Sequence, residues 1–220
     1  MGLAVCDTMV KPVTPELFQR DSTPVDITYS PGGDALNVAV NAAALGMRTG
    51  LATVVGEDAN GAFLTRYLAE RGVDLSAVRT SREHVTGTSI VLVEPNGERH
   101  FLPDTRIFQE LSPEQVTRRL LTGTKVLSLN SCYRLAQLDD GGVVPVFEMA
   151  HELGCRTAMD TTWNRTGDWL ERIRPALYHT DIFLPSYREA VQITGERDVR
   201  AMRRVLRGYG LEVFGVKLGG

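Results

Sequence analysis

From about residue 48 the sequence alternates short β-rich apolar runs with stretches whose apolar residues recur every three or four positions. A parallel sheet flanked by helices produces that alternation. "TGLATVV" reads as a strand and "NGAFLTRYLAERG" as a helix, with Phe63, Leu64, Tyr67 and Leu68 on one face and Gly72 suited to the left-handed position past its end. The alternation breaks once. "TGTSIVLVEPNGERHFLP" is two extended runs joined by Asn96-Gly97, a strong hairpin signal, so an antiparallel piece interrupts the parallel fold. Beyond it, "SPEQVTRRLL" reads as a helix with Ser112 as N-cap, Pro113 at the first helical position and Gln115 completing a capping box. There follow strand "KVLSL", helix "VPVFEMAHELG", strand "CRTAMD", helix "GDWLERIRPAL", strand "DIFLP", helices "SYREAVQITG" and "DVRAMRRVLRGYG", and strand "EVFGVKLGG".

Composition narrows the function classes. With 220 residues, 43% of them hydrophobic and 23% charged, the chain can bury a substantial core, and a single globular domain over 1–220 is expected. A net charge of -3 gives no electrostatic case for nucleic acid, and neither a basic amphipathic run nor an apolar stretch near ~20 residues suggests a membrane. Cys6, Cys132 and Cys155 are far apart and odd in number, which fits a reducing cytoplasm better than a disulfide framework or zinc site. The first strand starts abruptly, and the last ends on Gly-Gly where doubly wound folds form ligand loops. The expectation is therefore a domain whose C-terminal part is missing.

Candidate chemistry begins at "SPGGDALNVAVNAAALG", residues 30–46. Gly32 and Gly33 permit close backbone approach to a ligand, and the helix after them offers free N–H groups. Asn37 falls in the first helical turn, where its amide can reach a ligand held over that end. Asn41 lies one turn deeper on the same face and calls for a partner in a neighbouring loop or strand. A simple turn followed by two solvated asparagines is the alternative reading. His84, His100, His151 and His179 have no metal-ligand spacing and read as surface or packing residues, while Trp163 and Trp169 read as core or interface. Neither G-x-G-x-x-G nor G-x-x-x-x-G-K-[ST] is present.

"GGDALNVAVNAAALG" followed by "VVGEDANGAFLTRYLAERGV" resembles the N-terminal signature of the ribokinase-like (PfkB) carbohydrate kinases, and the likeness continues through "TGTSIVLVEPNGERHF", "DTTWNR", "LPSYREA" and "GVKLGG". The resemblance implies an α/β three-layer sandwich, a mostly parallel sheet with helices on both faces, and a small β lid from segments at about 8–31 and 86–103. It implies ATP-dependent phosphorylation of a sugar hydroxyl, with the sugar held by Asp7 at the end of the first strand and by Gly32, Gly33 and Asn37. A strand-end turn is the structural alternative for Asp7. Glu189 matches a glutamate linked to magnesium and phosphate, although Ser186 replaces the family's asparagine and the two residues also make a capping box. Lys217 and Gly219 match the approach to the nucleotide. Asp160, Asn164 and Arg165 match a looser element, in which Arg165 faces either phosphate, an acidic substrate or a surface carboxylate.

The family's Asp-Thr-x-Gly-Ala-Gly-Asp, which the resemblance makes the source of the catalytic base, does not occur in 1–220. The chain alone is accordingly expected to be inactive, with a non-catalytic sugar-binding or regulatory homologue as the alternative. A homodimer through the lid is a further implication of the resemblance.

Overall fold

The computed structural model describes residues 1–219. Residues 1–4 are extended and buried; Gly2 N donates to Ala52 O at 3.1 Å and Asn130 N to Met1 O at 2.9 Å. These bonds join two parallel pieces into one layer. On one side lie β3 (Thr53–Gly56) and β4 (Val78–Ser81); on the other lie β7 (Val126–Cys132), β8 (Arg156–Thr161), β9 (Ile182–Phe183) and β10 (Val213–Phe214), hydrogen-bonded in the order β10-β9-β8-β7. Val54 and Val55, consecutive in β3, are buried in different apolar clusters, as alternation across a sheet covered on both faces requires.

After Ala4 the chain leaves this layer. β1 (Val5–Lys11) is the second strand of a separate lid sheet, antiparallel to β2 (Asp26–Gly32) and parallel to β5 (Thr88–Val93), which in turn pairs antiparallel with β6 (Arg99–Asp104). The Asn96-Gly97 hairpin is present between β5 and β6, with Gly97 at φ 87°. Asp7 differs from its expected place at a strand end. It sits within β1, in register with Ser30 and Ser89, just after the chain passes from core to lid.

Helices α1 (Asp34–Ala44), α2 (Ala59–Ala69), α3 (Arg118–Leu121), α4 (Val144–Glu152), α5 (Trp169–Leu177), α6 (Tyr187–Thr194) and α7 (Val199–Leu206) follow the expected alternation. Leu64 and Leu68 of α2 are fully buried, with Phe63 and Tyr67 packed beside them, and Gly72 adopts φ 72°. Asp58 caps α2 by accepting from Gly61 N at 2.8 Å, and its other oxygen accepts from Thr86 N at 2.7 Å, which ties the helix to the start of the lid hairpin.

"SPEQVTRRLL" departs from the single helix expected. Pro113–Gln115 forms one 3₁₀ turn, Val116 is extended and buried, and only Arg118–Leu121 is α-helical. The Gln115 side chain accepts from Ser112 N at 3.2 Å and donates to Thr53 O, also at 3.2 Å. That second bond anchors the turn to β3, and burying Val116 outweighs the helix bond lost there. No helix among the described residues is long and apolar enough to cross a membrane.

The two glycines flanking α1 should differ sharply in tolerance. Gly33 precedes it at φ 95°, and a Cβ there would lie 2.5 Å from Leu3 O; Gly46 follows it at φ 84° with nothing within 4 Å. In urea unfolding, Gly46→Ala should cost about 1 kcal/mol from the left-handed conformation alone. Gly33→Ala should cost upwards of ~3 kcal/mol, because backbone must move as well. Equal losses would contradict the close packing of α1 on Leu3.

Candidate functional site

The glycine pair sets the geometry of one half of the site. A Cβ on Gly32 would collide with the Asp7 carboxylate, and one on Gly33 would crowd Leu3 O and Ala4 Cα. Removing both lets the head of α1 abut the point where the chain changes sheets. Leu36 N donates to Leu3 O at 3.2 Å, and Asn37 N to Gly33 O at 3.0 Å as α1 begins. Asp7 is thus held beside the positive end of a helix, yet burial and the neighbouring Asp34 charge push its pKa above the ordinary carboxylate range. Ala35, Leu36 and Ala39 bury the inner face of α1, while Asn37 and Asn41 are exposed on the outer one.

The second half lies at the carboxyl ends of β7 and β8. Ser131 and Tyr133 both adopt left-handed backbone, at φ 72° and 75°, across a register shift between Leu129 and Cys132. This bulge turns the Ser131 hydroxyl onto Asp34, to which it donates at 2.9 Å. One pair along, Cys132 is in register with Thr161, so the ends of β7 and β8 lie side by side. Asp160 accepts from Thr161 N at 2.8 Å and is paired with Lys217 Nζ at 2.5 Å. Burial raises the Asp160 pKa and the lysine opposes the rise.

Glu189 is buried in the same corner. Its Oε2 accepts from Ser186 N at 2.9 Å and from Thr161 Oγ1 at 3.2 Å, and its backbone N–H donates to Ser186 Oγ. Oε1 makes no hydrogen bond among the described residues. The capping box is therefore real, and it engages only one of the two carboxylate oxygens. The segment carrying Lys217 pairs with the strand leading to α6: Lys217 N donates to Pro185 O at 3.0 Å and Tyr187 N to Lys217 O at 2.9 Å. Gly219 follows at φ 82° with open space around its α-carbon.

Of the residues singled out from sequence, Asp7, Gly32 and Gly33 meet at the head of α1, with Asn37 one turn above. Glu189 and Lys217 converge on the end of β8, two residues before Gly219. Asn41 is a correction to the expected partner in a neighbouring loop or strand: it is exposed with no side-chain hydrogen bond among the described residues, as the alternative reading of a solvated asparagine has it. Asn164 is a turn staple, donating to Asp168 at 2.9 Å and accepting from Thr166 N at 2.8 Å. The tryptophans divide: Trp169 is buried, whereas Trp163 is 44% exposed, edge-on to Trp169 and under the Arg188 guanidinium. Each histidine lies against a carboxylate: His84 with Glu110, His100 with Glu94, His151 with Asp181 and His179 with Glu148.

Asp34 and Ser131 are not legible as site residues in the sequence. Asp34 carries a weak signal as the first residue of a helix behind Gly-Gly. Nothing in "NSCYR" announces a left-handed bulge.

These features match a known family along the whole chain. The model of the pfkB family carbohydrate kinases matches residues 2–220. An ATP-dependent ribose-1-phosphate kinase of Halopiger xanaduensis is 32% identical over 58% of this chain and 45% of its own length. The fructosamine kinase FrlD of Bacillus subtilis is 28% identical over 88% of the chain and 63% of its own. The chain thus spans less than two thirds of either relative. Among solved structures, a fructokinase from Xylella fastidiosa with bound ATP superposes on 100% of this chain and 71% of its own, with a TM-score of 0.81 at 19% identity. A PfkB protein from Polaromonas sp. JS666 covers 99% and 74%, with a TM-score of 0.80 at 19% identity. The family model spans all but the first residue and the solved structures share the fold, so the chain belongs to the pfkB family of carbohydrate kinases.

Proposed function

We propose that this chain forms the sugar site and part of the nucleotide site of an ATP-dependent kinase that phosphorylates a hydroxyl of a sugar or sugar-like metabolite in the cytoplasm. The observation that carries the reading is the Asp7 carboxylate, held against Gly32 at the head of α1 with Asn37 exposed one turn above it. Sugar hydroxyls both donate and accept. A carboxylate that only accepts, together with an amide that does both, fits them as a pair. The sugar-kinase names of the relatives support the same substrate class.

On the other side, Lys217 and Gly219 border the nucleotide. The φ of Gly219 and the open space around it suit close approach of adenosine or phosphate. Glu189 Oε1, free within an otherwise satisfied carboxylate, fits a water-bridged magnesium, which prefers oxygen ligands and keeps several waters. When bound, that ion offsets phosphate charge. The chain's own contribution is to position two reactants and to exclude water beneath the lid. The catalytic base is assigned to no residue of 1–220.

The lid supports a homodimer. Tyr29, Thr8, Ile90 and Leu102 are in register across its four strands, and Ile27 shares their face two residues along β2. Ile27 is 54% exposed, Tyr29 76%, Ile90 45% and Leu102 57%, a contiguous apolar face that a second copy of the same lid would cover.

Three outcomes test these readings. Asn37→Ala should weaken sugar binding about tenfold by calorimetry while leaving the unfolding midpoint unchanged, as loss of one exposed hydrogen-bonding group predicts; an unchanged affinity would remove Asn37 from the site. Asp7→Asn should also lose sugar affinity, yet raise stability at pH 7. The folded state raises the pKa of Asp7, so the ionised carboxylate opposes folding above that value, and the advantage of Asn should vanish once pH falls below the ordinary carboxylate range. A variant destabilised at pH 7 would mean Asp7 is a structural residue. Finally, Tyr29→Glu with Leu102→Glu should turn a dimer into a monomer in sedimentation equilibrium, and a monomeric parent chain would refute the lid interface.

A further inference from the structure

A cluster of metal-ligating side chains lies outside the site described above, where the lid hairpin joins the core. The β5–β6 hairpin has two legs. Residues 82–87 lead into it from β4, and residues 105–110 lead out of it through the 3₁₀ turn Arg106–Glu110. Ile107 and Phe108 of that turn are buried in the main apolar cluster, which fixes the second leg to the core. Glu83 and His84 sit on the first leg and Glu110 at the end of the second, and one ligand atom from each lies within 4.8 Å of the others. Sequence spacing hides the cluster because the whole hairpin separates Glu110 from the other two.

The Ser81 hydroxyl at the end of β4 holds all three residues in place. It accepts from the backbone N–H of Glu83 at 3.1 Å and of His84 at 3.0 Å, and donates to Glu110 Oε1 at 2.5 Å. Ser81 is 2% exposed, so water does not compete for these bonds. Arg79 donates to Glu110 Oε2 at 3.2 Å, while Oε1 meets His84 Nδ1 at 2.7 Å, the spacing of a shared proton. Two ligands of one tetrahedral ion, each bonded at about 2.0–2.1 Å, stand roughly 3.3 Å apart, so a small widening lets a metal replace that proton. Beside the cluster is a hollow of about 150 Å³ lined by Glu83, His84, Val85, Asp104 and Arg106. That is several times the space one water needs, enough for the remaining ligands of an ion. Asp104 is engaged by Arg106, which donates to both its oxygens, so the donors left are one imidazole and two glutamates.

We infer that Glu83, His84 and Glu110 form a site for a divalent cation of the zinc class, which fastens the two legs of the lid hairpin to each other. One imidazole nitrogen and two carboxylate oxygens, with water in the fourth position, suit zinc; magnesium, which takes a near-octahedral shell of oxygens, fits this donor set poorly. Ser81 and Arg79 are the outer partners that orient the ligating groups. The site is separate from the proposed sugar and nucleotide sites, and its existence does not depend on them.

The test is titration of the metal-stripped 220-residue chain with zinc in competition with a chromogenic chelator, with magnesium as the comparison cation. One zinc should bind per chain, about a hundredfold or more tightly than magnesium. Glu83→Gln and His84→Gln should each weaken zinc binding about tenfold or more. Glu83 is exposed, so its replacement leaves the fold intact and keeps the test valid if the second variant unfolds. His100→Gln should change nothing, although His100 lies with Glu94 and Glu98 in a similar cluster at the hairpin tip. Zinc should also slow amide deuterium exchange in residues 82–87 and 105–110. Cobalt(II) in place of zinc should absorb in the visible without a thiolate charge-transfer band; that band would put the ion on Cys6, Cys132 or Cys155 and overturn the site. So would zinc binding that Glu83→Gln leaves unchanged, that His100→Gln abolishes or that protects neither leg, and so would folded protein that binds no zinc.

Discussion

The contact on which the rest depends is the approach of α1's first residues to Leu3 and Ala4, a distance that no side chain at Gly33 would allow, with Gly32 beside it packed against Asp7. It settles three things together. The helix head is brought to the ends of the core strands, where its free N–H groups and positive dipole end face the crevice. β2 is brought alongside β1, so the lid sheet begins where the core layer stops. Asp7, at that junction, is pressed against Gly32 and kept near a positive helix end despite burial and a second carboxylate at Asp34.

The site around this junction is built from acids that are each balanced differently. Asp34 is met by the Ser131 hydroxyl, Asp160 by Lys217, and Glu189 by a backbone N–H and the Thr161 hydroxyl, while Asp7 has only its helix end. Asp7 is therefore the carboxylate with most to gain from a ligand's donors. Holding that carboxylate half-buried without a bonded donor costs the empty protein some stability.

Periodicity carried most of the architecture. The apolar face of α2, the Asn96-Gly97 hairpin and the βα alternation after residue 120 were legible because each depends on local geometry: 3.6-residue spacing, left-handed glycine and the two-residue repeat of a strand. "SPEQVTRRLL" was misread for a definite reason. Its local signals favour a helix, and a distant carbonyl, Thr53 O, captures Gln115 while the core takes Val116. Asn41 was misread in the opposite direction, since spacing shows which face of a helix a residue occupies but not whether another element lies opposite.

By itself the sequence determined the fold class, the lid hairpin, the glycine pair and the capping box at Ser186 and Glu189, since these follow from near-neighbour sterics and hydrogen bonding. Only the tertiary structure decided that the first four residues fill the slot between β3 and β7. It alone brought Ser131 onto Asp34 across 97 positions, through a bulge at the end of β7. Those relations join residues far apart in sequence through the order of strands and one bulge, and neither strand order nor a left-handed serine leaves a mark in local composition.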